Sequence, residues 1–213
     1  MNWLTNTLGS SIGKKLLMAI TGFCFLLFLF VHLAGNLTLY GGQTLFNSYA
    51  EHLHALGPVL RIAEIGLLTL ALVHVFTGII LFVGNLKARP KRYAVNKRAG
   101  GRTWGSATMP YTGLLLLCFI VMHLLNFHFV DKSQTTIYAI VAATFNQAGY
   151  VCLYVVAMVV AALHVRHGFW SAFQTVGANH PKYMPFIMRA ALVFSLLIGI
   201  GFGLIPIYIS WVA

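Results

Sequence analysis

Five long apolar segments constrain the fold of this chain more than any other feature of its sequence. They cover residues 15–39, 59–86, 107–130, 137–173 and 186–212. Each is long enough for the about 20 residues that a helix needs to cross the hydrocarbon layer. In lipid, a single segment can satisfy its backbone hydrogen bonds only as a helix. Charged residues make up 8% of the chain, against about 25% in soluble domains. The sequence therefore predicts an all-α membrane protein, with residues 1–213 forming one transmembrane domain, a bundle of five helices.

The positions of the basic residues predict how this bundle crosses the membrane. Of the fourteen lysines and arginines, seven lie between the second and third segments, three around the junction of the fourth and fifth, and two just before the first. Only Arg61 and Lys132 lie near the opposite side. Cytoplasmic loops are enriched in lysine and arginine, so we expect a cytoplasmic N-terminus and a C-terminus outside. The basic side can bind lipid headgroups or a cytoplasmic subunit. A nucleic-acid partner is not expected, because these charges flank membrane spans.

Several local signals predict where helices begin and how they pack. Ser10 or Ser11 is a suitable N-cap for the first helix, and Pro58 is expected at the start of the second span. The loop between these two spans contains a stretch, YAEHLHAL, that predicts a short interfacial helix. Small residues allow membrane helices to approach closely, which is the role expected of three glycines in the fifth segment: Gly199, Gly201 and Gly203.

Four of the five segments each contain one histidine well inside the span. These residues are His32, His74, His123 and His164. An ionisable side chain in lipid is expensive without a partner and marks a functional site by default. A purely structural explanation would need four separate partners for four imidazoles. A zinc or copper site would need its ligands at one depth. A proton relay would need carboxylates in mid-membrane, and the three acidic residues lie toward the outer ends of the spans.

Two of these histidines have the same predicted depth near the cytoplasmic side. His74 lies thirteen residues before Lys87, which ends the second span. His164 lies thirteen residues before Gly177, the expected stop of the fourth helix. At about 1.5 Å of rise per residue, both are about 20 Å from the inner boundary. We call His74 and His164 the inner pair.

The other two histidines are predicted to share a level closer to the outer side. His32 lies seventeen residues after Lys15, and His123 lies nineteen residues after Trp104. Both are then about 26–28 Å from the inner boundary. We call His32 and His123 the outer pair. Two facing neutral imidazoles form the ligand set of a six-coordinate haem, so depth alone predicts two haems, one for each pair.

Other residues fit the same interpretation. The chain has no Cys-x-x-Cys-His sequence, so the predicted haems are non-covalent, and His167 is expected at the interface, in contact with a haem propionate or a headgroup. A haem also needs a slot between helices, which five glycines are expected to supply: Gly22, Gly35, Gly66, Gly78 and Gly168.

The chain resembles the five-helix, di-haem cytochrome b membrane anchor of succinate:quinone oxidoreductases, the succinate dehydrogenases and fumarate reductases. The resemblance covers nearly the whole chain and is carried by the sequences that lead to or follow each histidine. These are GKKLLMAITG before His32, LRIAEIGLLTLALVH ending at His74, TWGSATMPYTG before His123, and HVRHGFWSAFQTVG starting at His164. The last of the four is the most specific.

The resemblance implies an electron-transfer function. It assigns the inner pair to one b-type haem and the outer pair to the other, in agreement with the depth argument. It implies an iron–sulfur subunit and a flavoprotein subunit on the cytoplasmic face, the latter carrying the dicarboxylate site, and a membrane quinone, usually menaquinone. Trp104 and Arg102 become candidates for the propionates of the inner haem, and Glu51 for quinone chemistry. Some members have a carboxylate two residues before the fourth ligand for proton transfer, where this chain has Ala162.

The expected location is the inner membrane of a bacterium, and the resemblance implies a role in the tricarboxylic acid cycle or in anaerobic respiration. Two alternatives remain open at this point. One is the cytochrome b subunit of another quinone-linked dehydrogenase, such as a hydrogenase or formate dehydrogenase. The other is a transporter or scaffold whose histidines are structural.

Overall fold

The computed structural model describes residues 3–88 and 103–212, and this part of the chain contains eight α-helices and no β-strand. They are α1 (Trp3–Gly9), α2 (Ser11–Asn36), α3 (Gly42–Ala55), α4 (Pro58–Lys87), α5 (Trp104–Phe127), α6 (Ile137–Phe145), α7 (Ala148–Thr175) and α8 (Met184–Val212). A 3-10 helix, Leu37–Gly41, joins α2 to α3. Five of the helices, α2, α4, α5, α7 and α8, are long and apolar enough to span a membrane, and α2 continues through the 3-10 helix into α3. The predicted all-α, five-span membrane protein is confirmed.

The prediction of one continuous span over 137–173 was wrong. The chain breaks at Asn146 and Gln147, where the backbone of Gln147 is extended, and this divides the segment into α6 and α7. The nine residues of α6 are too few to cross a bilayer. α6 instead buries an apolar face against α3 and α8. Hydropathy does not separate a short buried helix from a span, because both are apolar.

Three of the predicted helix ends are explained by local hydrogen bonds and backbone geometry. Ser10 is the cap of α2, since its hydroxyl accepts a hydrogen bond from the Gly13 amide at 3.0 Å. Pro58 begins α4, as predicted. At the end of α7, Gly177 has a φ of +96°, and the next amide donates back to the carbonyl of Phe173 at 2.9 Å. This Schellman arrangement ends the helix and favours glycine.

The predicted interfacial helix is α3, and it is longer than the stretch from which it was predicted. Tyr49 of α3 packs its phenol group against Gly35 of α2, where any larger residue would collide with it. The Asn47 side-chain oxygen accepts a hydrogen bond from the Tyr138 amide in the first turn of α6, at 3.1 Å. These contacts fix α3 to one end of the bundle.

Close packing through glycine holds α8 in place at two of the three predicted positions; at the third, Gly203, an added Cβ would lie 3.7 Å from the Met158 Cβ, an ordinary contact. A Cβ atom at Gly199 would approach the Cβ of Ala162 on α7 to 2.8 Å. One at Gly201 would approach Leu33 of α2 to 2.8 Å. Both distances are shorter than real Cβ contacts allow, so α8 lies against α7 and α2 only because these positions lack side chains. α7 is thereby central, in contact with α2, α5 and α8.

Candidate cofactor site

The nine histidines of the chain separate into two groups by exposure. Four are exposed: His52, His54, His128 and His180. Five are partly buried: His32, His74, His123, His164 and His167. The second group contains all four histidines that the sequence places inside spans. The separation follows from their positions, because the exposed histidines lie on α3, at the end of α5 and in the loop before α8.

His74 on α4 is held by a threonine of α2. Its Nδ1 atom lies 2.9 Å from the hydroxyl oxygen of Thr21, a residue that is only 3% exposed. The same hydroxyl lies 2.8 Å from the carbonyl oxygen of Leu17, one turn earlier. One side of the imidazole is therefore fixed by a polar group of the neighbouring helix.

His164 on α7 is held in the same way by α5. Its Nδ1 atom lies 3.1 Å from the hydroxyl oxygen of Thr112, a residue that is 7% exposed. The Thr112 hydroxyl also lies 3.1 Å from the carbonyl oxygen of Met109. The ring passes close to the backbone of Gly113, where a Cβ would lie 3.4 Å from the His164 Cε1 atom. Glycine at this position leaves room for the imidazole.

The two histidines of the inner pair lie on α4 and α7, and each is bonded to a threonine of a neighbouring helix. The inner site takes its residues from four helices, because α4 and α7 supply the imidazoles and α2 and α5 supply the threonine hydroxyls.

The outer pair lies in direct proximity. The ring centroids of His32 on α2 and His123 on α5 are 6.0 Å apart, with the ring planes at 88°. Imidazole nitrogens bind transition metals at about 2 Å, so two rings on opposite sides of one ion have centres roughly 6 Å apart. The observed separation suits one metal ion between two imidazoles, and imidazole is a suitable ligand for iron.

Aromatic rings surround the outer pair. Phe28 stacks on His32 with centroids 5.1 Å apart and an interplanar angle of 15°. The remaining neighbours within about 6 Å of one or the other imidazole, by centroid, are Phe119, Phe127, Tyr154 and Phe202. These rings form a dry, apolar wall, and several pack onward into the hydrophobic core that includes Phe145.

The ring nitrogens of the outer pair lack the hydroxyl partners of the inner pair. The Nδ1 atom of His123 is buried and has no hydrogen-bond partner within the described part of the chain. The Nδ1 atom of His32 lies 3.4 Å from the side-chain nitrogen of Asn36, which donates its good hydrogen bond, at 2.8 Å, to the His32 carbonyl. Packing rather than hydrogen bonding therefore fixes these two rings.

α2 and α5 share a pattern that sequence reasoning missed. Thr21 and His32 are eleven residues apart on α2, and Thr112 and His123 are eleven residues apart on α5. Eleven residues make about three helical turns, so each threonine and histidine lie on one helix face, about 16 Å apart along the axis. On each of these helices, the threonine contacts a histidine of the inner pair, and the histidine belongs to the outer pair.

This geometry corrects the depths estimated from sequence. Counting from Lys87 placed His74 only about 6–8 Å below the outer level. The contact with Thr21 instead places His74 six residues beyond Lys15, about 9 Å along α2. The two levels are thus separated by about 16 Å. The estimate failed because α4 extends thirteen residues beyond His74 to Lys87, whereas Lys15 of α2 is only six residues from Thr21. The ends of the two helices are therefore not at the same depth.

The shared pattern also reveals an internal repeat, although none was evident from the sequence. Thr21 and His32 recur 91 residues later as Thr112 and His123, and His74 recurs 90 residues later as His164. The helix pair α2 and α4 therefore carries the same three polar residues as the pair α5 and α7. The available signal was the equal spacing, which stands out only once threonine is considered together with histidine.

The glycines predicted to leave room for a cofactor differ in how much space surrounds them. Added Cβ atoms at Gly22, Gly66 and Gly168 would meet nothing within 4 Å in residues 3–88 and 103–212, apart from the helix itself. At Gly78 the nearest atom would be Met18 Cε, at 3.7 Å. Gly35 was a wrong prediction, because the Tyr49 ring fills the space in front of it.

Two of the three residues predicted to contact a propionate, His167 and Trp104, lie near the start of α5. His167 packs edge-on against Trp170 and lies next to Gly105, and its buried Nδ1 atom has no partner among the described residues. An unpaired buried nitrogen of this kind suits a ligand oxygen. Trp104 is the first residue of α5 and is 71% exposed. Arg102 lies outside the described residues.

The acidic residues lie away from the histidine pairs. Glu51 is exposed on α3, and the structure assigns it no hydrogen bond or ion pair with any described residue. Glu64 of α4 binds Arg61 at 2.9 Å and lies 4.0 Å from the Nδ1 atom of His128 at the end of α5. This contact links the ends of α4 and α5, and sequence reasoning had not assigned it.

No family model, curated protein or solved structure matches this chain. The arrangement of donors must therefore be interpreted on its own. Across residues 3–88 and 103–212, no three histidine, cysteine or acidic side chains gather as they would around a zinc ion. The four histidines inside the spans instead form the inner and the outer pair. Such pairs, at two levels of an apolar bundle, can each hold a planar metal cofactor that supplies the other ligands itself.

Proposed function

We propose that this chain is the membrane anchor subunit of a succinate:quinone oxidoreductase and carries electrons between an iron–sulfur subunit and a membrane quinone. The observation that carries the proposal is the outer pair, whose imidazole centroids are 6.0 Å apart, together with a second pair of histidines that is bonded to threonines of the same two helices, about 16 Å away along their axes. In this proposal the dicarboxylate site belongs to the flavoprotein subunit.

Each histidine pair has a definite role in this proposal. His74 and His164 bind the inner b-type haem, and His32 and His123 bind the outer one. Haem, when bound, supplies a one-electron carrier at each level. The aromatic residues around the outer pair and the threonines beside the inner pair would keep the imidazoles oriented toward the haems.

The chemistry of the surroundings supports haem over the alternatives considered. A zinc or copper site would gather three or more ligands at one depth, whereas the four histidines inside the spans form an inner pair and an outer pair. A proton relay would place carboxylates near the imidazoles, whereas Glu51 is exposed and Glu64 is bound to Arg61. The position that carries a carboxylate in some similar proteins is Ala162, which lies against Gly199 in the tight contact between α7 and α8. A larger acidic side chain would not fit there.

The location and partners follow from the same proposal. In this proposal the chain lies in the bacterial inner membrane, and the position of most basic residues on one side supports a cytoplasmic N-terminus. An iron–sulfur subunit with its flavoprotein subunit docks on that basic face. Menaquinone or another quinone reacts with the chain, and Glu51 is the proposed quinone-site carboxylate.

Haem quantification in the purified, intact complex tests the proposal. We expect two non-covalent b-type haems per chain, a reduced-minus-oxidised spectrum with two components, and co-purification of an iron–sulfur protein and a flavoprotein. Fewer than two haems per chain would overturn the di-haem assignment. A normal haem content with a hydrogenase or formate dehydrogenase as partner would assign the chain to that other class. The absence of any b-type band would leave a transporter or scaffold.

A further inference from the structure

We infer that Thr21 and Thr112 are positioning residues, each of which accepts a hydrogen bond from the Nδ1–H group of an inner-pair histidine and so leaves its Nε2 atom unprotonated to bind iron. The inference rests on the proposed haem function and adds a specific tuning of the inner site. It concerns four groups that the structure brings together in two contacts, Thr21 with His74 and Thr112 with His164.

The position of the Thr21 proton decides the direction of the first hydrogen bond. A hydroxyl has one proton to donate and lone pairs to accept with. The Thr21 oxygen lies 2.8 Å from the Leu17 carbonyl, to which it donates, as threonine commonly does within helices. Its lone pairs then face the His74 Nδ1 atom at 2.9 Å, and that nitrogen must carry the proton. In a neutral imidazole, Nε2 is then unprotonated, and its lone pair is free to bind a metal ion.

The second contact repeats the first one on the other half of the bundle. The Thr112 hydroxyl lies 3.1 Å from the Met109 carbonyl and 3.1 Å from the His164 Nδ1 atom. Both threonines are buried and stand eleven residues before an outer-pair histidine. Isolated threonines would not be expected to recur at the same spacing with the same partner. The two contacts therefore belong to one arrangement, in which both inner-pair histidines keep Nε2 unprotonated and available to the proposed haem.

The outer pair provides the internal contrast. Within residues 3–88 and 103–212, the His123 Nδ1 atom has no partner, and the His32 Nδ1 atom has only a long contact with an amide nitrogen. The amide is a donor, so it cannot accept an Nδ1 proton. Any effect of the threonine hydroxyls is therefore specific to the inner haem.

A hydroxyl oxygen that accepts a hydrogen bond from Nδ1–H makes the imidazole a stronger electron donor. A stronger donor favours ferric over ferrous iron. Loss of such an outer partner typically lowers metal affinity 10–100-fold. If the loss falls more on the ferric state, the reduction potential rises, and a tenfold difference between the two states corresponds to about 59 mV for one electron. The inner potential should therefore rise when either hydroxyl is removed.

The test compares Thr21→Val and Thr112→Val with Thr21→Ser and Thr112→Ser in the intact complex. Valine keeps the branched shape and removes the hydroxyl, whereas serine keeps the hydroxyl. We expect both valine variants to raise the potential of the same spectral component, the one that His74→Ala also affects, and to lose that haem more readily by 10–100-fold. The serine variants should retain the wild-type potential. Thr69→Val is the matched control, because its hydroxyl donates to the Ile65 carbonyl on an exposed face of α4.

The outcomes separate this inference from the proposed function. Two haems with unchanged potentials in both valine variants would overturn the inference and leave the di-haem function intact. So would loss of the inner haem in the serine as well as the valine variants, since packing would then explain it. Effects of Thr21→Val and Thr112→Val on different haems would also overturn it. Absence of haem from the wild-type complex would overturn the function itself.

Discussion

Both pairs consist of histidines, but their neighbours hold the inner and the outer imidazoles by different means. At the inner pair, buried hydroxyls from neighbouring helices contact both Nδ1 atoms, at 2.9 and 3.1 Å. At the outer pair, five aromatic rings surround the imidazoles, and no hydroxyl of the described residues is bonded to either Nδ1 atom. A hydrogen bond fixes both the orientation and the tautomer of an imidazole, whereas packing fixes orientation alone. The difference predicts two sites that respond to different substitutions.

The two sites nevertheless depend on the same helices. α2 carries Thr21 and His32, and α5 carries Thr112 and His123. A rotation of either helix would therefore disturb both levels together, whereas a change in α4 or α7 near its histidine should disturb the inner level alone. Substitutions of single side chains, which leave the helices in place, are the appropriate way to separate the two sites.

The largest expected effect comes from removal of a ligand. His74→Ala and His164→Ala should each abolish the same haem component, and His32→Ala and His123→Ala should each abolish the other, because each proposed haem depends on both imidazoles of its pair. Haem content should fall from two to about one per chain, measured by absorption spectra of the purified complex. If His32→Ala and His74→Ala removed the same component and spared the other, the pairing would be wrong.

A change in the aromatic wall should act strongly and only on the outer site. Phe145→Ala removes a buried ring, 4% exposed, that packs on Phe127 and Tyr154, and these two rings contact His123. Truncation of a buried phenylalanine costs about 3–5 kcal/mol. We expect a lower thermal unfolding temperature in detergent and early loss of the outer haem, with the inner spectrum unchanged.

Phe169→Ala is the control for this prediction. Phe169 packs on Phe173 and Phe194, away from the outer pair. It should lower stability without a preference for the outer haem. An equal loss of both haems in Phe145→Ala would mean that the wall supports the whole bundle and not the outer site.

The fold was predictable from sequence because lipid leaves few choices. Apolar length predicted five spanning helices, and the glycines at 199 and 201 predicted the close contacts that α8 makes. The break at Asn146 and Gln147 was not predicted, because α6 is apolar through burial against protein rather than through contact with lipid.

The proximity of His32 and His123 could be predicted from depth, but the depth of His74 and the role of the threonines could not. Depth along a helix needs only residue counts and a fixed rise. The contact between Thr21 and His74 depends on how α2 and α4 are rotated about their axes, which residue counts do not specify. Threonine also carries little signal by itself, since its hydroxyl readily bonds within its own helix.

A smaller effect is expected from filling the space beside the inner pair. Gly113→Ala adds a Cβ about 3.4 Å from the His164 Cε1 atom, at the short end of ordinary contact. Alanine favours a helix by about 1 kcal/mol over glycine, so stability should be unchanged or slightly higher. We expect a small shift in the inner haem spectrum alone. Gly66→Ala, where the new Cβ meets no described atom within 4 Å, should increase stability similarly and leave both spectra unchanged.

The smallest expected effect comes from Asn36, the side chain that the structure places beside the His32 Nδ1 atom. Asn36→Leu removes an amide whose nitrogen lies 3.4 Å from the His32 Nδ1 atom, beyond the usual N–H···N range, while its good hydrogen bond goes to the His32 carbonyl at 2.8 Å. The outer potential should therefore move much less than the inner potential moves in Thr21→Val, as measured by redox titration of the two spectral components. A shift of equal size would show that the outer imidazole is also tuned by hydrogen bonding, and the distinction between a hydroxyl-held and a ring-held pair would fail.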